Sequence, residues 1–190
     1  MNLSAPLPFV GQKRMFAKEF IKVLDLFPDD TVFVDLFGGS GLLSHITKRM
    51  KPAATVVYND FDNYRFRLAH IPHTNKLLAD IRSLVGDSVP KHKAIKGKLR
   101  ECVLKRIEEE EASVGYVDFI TLSSSLMFSM KYKLSVEEMS KEVLYNNIRK
   151  NGYPESLDYL EGLEIVSCDY KEVYNCLLYT SPSPRDYAAS

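Results

Sequence analysis

Apolar residues recur along this chain with two different periods, and the switches between them divide it into elements. Phe16, Phe20, Val23, Leu24 and Phe27 fall on one helical stripe, which predicts an amphipathic helix over 14–27. Pro28, Asp29 and Asp30 end that helix. Residues 31–36 (TVFVDL) are a β-branched and aromatic run and read as a buried strand. The glycine-rich loop 37–41 (FGGSG) follows, and 42–50 returns to a helical pattern. Residues 54–58 (ATVVY) predict a second strand, ending at Asn59 and Asp60. Helix, strand, glycine loop, helix and strand in this order open an α/β fold with parallel strands.

From about 73 to 150 the pattern is helical and predicts no strand. Leu99, Cys102, Val103 and Ile107 form one stripe, and Val136, Met139, Val143 and Ile148 another. Pro154 breaks the pattern, and 163–168 (LEIVSC) predict a third strand that closes on Asp169 and Tyr170. The expected organisation is therefore an α/β core over 1–72 and 160–176, interrupted by a helical insert over 73–159. The end of the chain, TSPSPRDYAAS from 180, has no periodicity and two Ser-Pro pairs. The run CLLYTSPSPRD resembles translated sequencing-adapter sequence, so 177–190 are expected to be a non-native or disordered tail.

Composition narrows this picture without changing it. The 190 residues hold one domain with an insert, and their hydrophobic, aromatic and charged content is that of an ordinary globular protein. Lys and Arg balance Asp and Glu at 25 each, so no global field draws a polyanion. The balance is uneven, however. Lys91, Lys93, Lys96, Lys98, Arg100, Lys105 and Arg106 form a basic stretch, and Glu108–Glu111 then reverse the sign. A basic stretch of this kind is either a phosphate-binding segment or a solvated helix face. No apolar run is long enough to cross a bilayer, and the first residues do not resemble a secretory signal. Cys102, Cys168 and Cys176 are scattered and lack CxxC spacing, so neither a zinc site nor a disulfide framework is expected. These features predict a cytoplasmic, monomeric protein without a metal.

Three segments carry candidate chemistry. Asp35-Leu36-Phe37-Gly38-Gly39-Ser40-Gly41 lies directly between a strand and a helix, where glycines allow a tight turn and close approach to a ligand. The following helix start offers unpaired N–H groups. The pattern is neither the dinucleotide GxGxxG nor a Walker A loop. Asp60 ends the second strand about twenty residues later, where a carboxylate accepts hydrogen bonds from ribose hydroxyls or caps a helix; Asp62 competes for the first role. Pro8-Phe9-Val10-Gly11-Gln12-Lys13 precedes the first helix, and Phe9 offers a ring face to a cation or a purine, or simply staples the helix start.

The order PFVGQK, DLFGGSG, YND, helical insert, CDY resembles that of the Dam-type adenine-N6 DNA methyltransferases over roughly 5–176, with Gln12 where the family often has glycine. The resemblance implies an incomplete Rossmann-like methyltransferase sheet with a helical insertion, S-adenosyl-L-methionine as cofactor, and double-stranded DNA as partner, as in restriction-modification. Phe9, Gly11 and Lys13 would flank the cofactor. Phe37, Gly38, Gly39, Ser40 and Gly41 would cradle its methionine part, with Asp35 near the amino group. Asp60 would hold the ribose, and Asp169 and Tyr170 would line the adenine pocket. The insert would meet DNA through Lys96, Lys98 and Arg100, with Lys131, Tyr132 and Lys133 as a second candidate. The family's D/N-P-P-Y/F block, whose acceptors engage the target amino group, has no counterpart in this sequence, so no catalytic residue is assigned. The alternatives are a class I methyltransferase of RNA or of a small molecule, and a non-catalytic cofactor- or DNA-binding fragment.

Overall fold

The computed structural model describes residues 4–11, 13–128, 132–155 and 158–180, with 176–180 as backbone only. In chain order the elements are α1 (Ala17–Leu24), β1 (Val32–Asp35), α2 (Leu42–Met50), β2 (Thr55–Asn59), α3 (Tyr64–Ala69), α4 (Ile71–Val85), β3 (Ala94–Ile95), α5 (Gly97–Val114), α6 (Phe119–Leu126), α7 (Val136–Ser140), β4 (Leu144–Tyr145), β5 (Glu164–Val166) and α8 (Tyr170–Thr180). They form two compact units. One is built on Gln12–Arg65 and the stretch from Asp158, the other on Pro6–Gly11 and Phe66–Leu157.

The first unit holds a three-stranded parallel sheet in the order β1-β2-β5. Val32–Asp35 align with Thr55–Tyr58, and Val57–Asn59 with Glu164–Val166, so all three strands end on the same side. Among the described residues no strand pairs with the second edge of β1. Helices α1 and α2 bury Ala17, Leu24, Leu42 and Ile46, with Phe20, Ile21, Phe33 and Met50 packed around them. The buried stripe of α1 is thus Ala17, Phe20, Ile21 and Leu24, an i, i+3, i+4, i+7 set. The stripe read from the sequence shares Phe20 and Leu24 with it, but Phe16, Val23 and Phe27 are exposed. The helix is also shorter than 14–27, because Lys13–Phe16 make a 3-10 turn before it.

In the second unit α4 packs on α5, and Leu77, Leu78, Ile81, Val103 and Ile107 are buried. The strandless insert expected from sequence needs one correction: β3 and β4 pair antiparallel, Ala94 with Tyr145 and Ile95 with Leu144. Two-residue strands are too short to leave a period in the sequence. The stripe through Val136 is cut as well, because α7 ends at Ser140 and Val143 is exposed. Arg67 and Asp118, both buried, form an ion pair at 3.1 Å. Asp118 also caps α6 by accepting from the Thr121 amide, and Arg67 donates to the Pro8 carbonyl at 2.8 Å. That bond anchors the segment carrying Phe9 and Gly11 in this unit.

Helix α8 runs through Thr180, across the start of the tail expected over 177–190. The Ser-Pro pairs of the expected tail lie outside the described residues.

His45 on α2 stacks on Tyr159 with ring centroids 4.4 Å apart, and its Nδ1 lies 2.7 Å from the Tyr159 carbonyl oxygen. Burial lowers its pKa below the ordinary 6.5, against a smaller upward pull from that hydrogen bond. Below pH 6.5 the unfolded chain therefore takes up a proton that the folded chain resists. Folding stability falls as pH drops from 6.5 toward the folded-state pKa, and the contribution is complete above 6.5. Urea midpoints measured from pH 5 to 8 for wild type and His45→Asn should converge as the pH falls. Parallel profiles would show that His45 does not titrate differently on folding.

Candidate functional site

The site is built where the three parallel strands end. The loop after β1 lies on the ring of Tyr58 from β2. A Cβ at Gly38 would meet Tyr58 Cε2 at 2.2 Å and the Asn59 carbonyl oxygen at 2.8 Å, so only glycine fits there. Gly41 turns the chain into α2 with φ +67°, and its amide closes a turn to the Gly38 carbonyl at 2.8 Å. Ser40 is buried between them. The Tyr58 hydroxyl lies 2.7 Å from the Gly39 carbonyl and 2.9 Å from Asp60 Oδ1. Having one hydrogen, it serves both acceptors in a shared bond. Burial first, and the Asp60 carboxylate second, push its pKa far above the ordinary tyrosine value, so it stays protonated.

Asp35, the last residue of β1, accepts from the Ser44 hydroxyl at 2.9 Å, and the Lys13 ammonium stands 3.3 Å from its other oxygen. Lys13 also donates to the Phe37 carbonyl. Phe37 is exposed, and its ring centroid lies 5.1 Å from that of Tyr170, which is also exposed. Asp169 starts α8, accepting from the Lys171 amide at 2.9 Å. Lys13, Asp35, the loop Phe37-Gly38-Gly39-Ser40-Gly41, Asp60, Asp169 and Tyr170 therefore all belong to the first unit. Phe9 and Gly11 belong to the second, where the Arg67 guanidinium lies 6.0 Å from the Phe9 ring centroid.

Asp60 takes the capping role that its sequence position left open. It is 3% exposed, and its carboxylate accepts from the Tyr64 amide at 2.6 Å and the Arg65 amide at 2.9 Å, holding the start of α3. Asp62 is exposed.

In the basic stretch, Lys96 and Lys98 are exposed. Arg100 is half-buried and donates to the carbonyls of Ser140 and Glu142, so its guanidinium secures the end of α7. Glu110, in the acidic run that reverses the sign, is buried and paired with Arg106. Sequence reasoning missed Ser44, Tyr58 and Asn59. A polar Asn at the end of an otherwise apolar strand was the available signal for Asn59.

A parallel sheet with helices against it, and a glycine loop over its strand ends, is a Rossmann-like arrangement, here with a small and incomplete sheet. The chain is similar to a protein of Haemophilus influenzae (strain Rd) named "Putative methyltransferase", at 41% identity over 167 residues. The match covers 86% of this chain and 55% of that protein, so the chain spans about half the length of the relative. No family model and no solved structure matches.

The fit of the loop on Tyr58 is directly testable. Gly38→Ala should cost about 2 kcal/mol or more of folding stability, because overpacking forces the Tyr58 ring or the backbone to shift. Urea denaturation reads this, and an unchanged midpoint would mean that the loop does not rest on Tyr58.

Proposed function

We propose that the chain is the cofactor-binding part of an S-adenosyl-L-methionine-dependent methyltransferase acting on adenine N6 in double-stranded DNA. The observation that carries the reading is the glycine loop seated on Tyr58, with Asp35, Asp60, Asp169 and Tyr170 at the same strand ends. The homology to a named methyltransferase supports methyl transfer in general. The DNA adenine substrate rests on the order of the sequence motifs.

The residues fit the cofactor in kind. The missing Cβ at Gly38 lets the loop lie low on the sheet, and the start of α2, which has no side-chain cap, favours a carboxylate through its first N–H groups. Asp35 already accepts one ammonium, that of Lys13, and is suited to a second from the methionine part. Phe37 and Tyr170 present exposed rings for an adenine. Asp60, at the end of β2, is assigned to the ribose from its place in the motif order, and the exposed Asp62 is the alternative acceptor. When bound, the cofactor supplies an electrophilic methyl group on sulfur. This chain's residues bind and orient it, and the acceptors that engage the target amine are not among them.

In the second unit, exposed Lys96 and Lys98 are assigned to DNA phosphate, while Arg100 keeps its structural role. No helix among the described residues is long and apolar enough to cross a membrane.

Titration calorimetry with S-adenosylhomocysteine tests the site, and a tritiated-methyl assay on mixed-sequence duplex tests the missing acceptors. The expected result is weak binding, lost or reduced in Asp60→Ala or Asp62→Ala, with no turnover above a boiled control. DNA binding should weaken with salt, less steeply once Lys96 and Lys98 are replaced by Ala. Absence of cofactor binding, or binding unaffected by both Asp changes, contradicts the assigned site. Equal salt slopes would make the lysines a solvated face.

A further inference from the structure

We infer that Asn59 is a positioning residue of the cofactor site. The inference rests on the cofactor reading above and goes beyond it, because Asn59 itself is not proposed to touch the cofactor. Asn59 ends the central strand and is 1% exposed. Its side-chain amide donates to the Leu36 carbonyl at 3.1 Å and to the Cys168 carbonyl at 2.9 Å, and its oxygen accepts from the Cys168 amide at 3.2 Å. Both donors and one acceptor site are thereby used on the backbones that continue β1 and β5.

The position explains the chemistry. The last ladder bond between β2 and β5 runs from the Asp60 amide to the Val166 carbonyl at 2.7 Å. Beyond it the regular pairing stops, and Leu36 and Cys168 have polar backbone groups that a sheet would otherwise satisfy. The Asn59 amide replaces that pairing from one atom group. Leu36 immediately precedes Phe37, Asn59 immediately precedes Asp60, and Cys168 immediately precedes Asp169. One amide thus ties together the three backbones from which the loop, the ribose acceptor and the adenine-side residues leave the sheet.

Asp, Leu and Ser cannot do this. An ionised Asp has acceptors only and would face two carbonyl oxygens. Leu would leave three part-buried backbone groups without these bonds, at a desolvation cost. Ser retains one donor at most. The arrangement also fixes relative positions as well as adding stability, since all three bonds converge on one rigid planar group.

The test separates positioning from mere stability. Kd for S-adenosylhomocysteine is measured by calorimetry for wild type, Asn59→Asp, Asn59→Ser and Ile46→Ala, under conditions where each is folded by circular dichroism. Ile46 is fully buried between the helices and controls for general destabilisation. The expected result is a rise in Kd of about tenfold or more for the Asn59 variants (about 1.4 kcal/mol by the usual conversion), with Ile46→Ala within twofold of wild type. Amide hydrogen exchange at Gly38, Gly39 and Asp169 is read on the same samples, and should speed up in the Asn59 variants only. If Asn59→Asp fails to fold, Asn59→Ser decides. Wild-type affinity and wild-type exchange in a folded Asn59 variant would overturn the inference. A wild-type chain that does not bind the ligand overturns the cofactor reading and this role with it, whatever exchange then shows of the amide.

Discussion

Three parallel strands that end on one side of a sheet leave backbone groups unpaired there, and a ligand site at those ends needs them held without being blocked. In the first unit Asn59 and Tyr58 meet this constraint from below. The Asn59 amide ties Leu36 and Cys168 to the central strand, and Tyr58 carries the glycine loop on its ring and the Gly39 carbonyl on its hydroxyl. Asp60 completes the arrangement by linking that hydroxyl to the start of α3. Neighbouring residues of one strand thus hold the rim of the site while their side chains stay buried. Phe37, Tyr170 and Asp169 are then left exposed above it.

The second unit solves a different problem with similar means. A buried charge is costly unless paired and hydrogen-bonded. Arg67 is paired with Asp118 and also donates to the Pro8 carbonyl. Asp118 is in turn committed to the α6 cap and the Thr121 hydroxyl. Arg106 does the same between helices, bridging Asp80 and Glu110. In each case a charge that looks like surface in the sequence is spent on tertiary structure.

That is also where the sequence was least legible. The strands β1, β2 and β5 and helix α2 were readable because β-branched runs and a glycine loop leave strong local patterns. The loop's residues and Asp35 were readable for the same reason. The face of α1 was misread because two helical stripes share Phe20 and Leu24, and only packing decides between them. The β3–β4 pair is too short to have a period. The partners of Arg100 and Glu110 were not legible, because a linear run of charge does not reveal contacts forty or four residues away. Asp60 stood between two roles, and the backbone amides of Tyr64 and Arg65 show that it caps α3. Asn59 was passed over because its two partners, Leu36 and Cys168, are brought together only by the sheet.

On the proposed function, the carboxyl ends of β1, β2 and β5 form one cofactor surface. Amide chemical shifts of the isotope-labelled chain, followed during addition of S-adenosylhomocysteine, test it most directly. The largest changes are expected in Phe37, Gly38, Gly39 and Gly41, with further changes at Asp60, Asp62, Asp169 and Tyr170, and little at β3 and β4. Changes confined to the second unit, or absent from the glycine loop at saturating ligand, would contradict it.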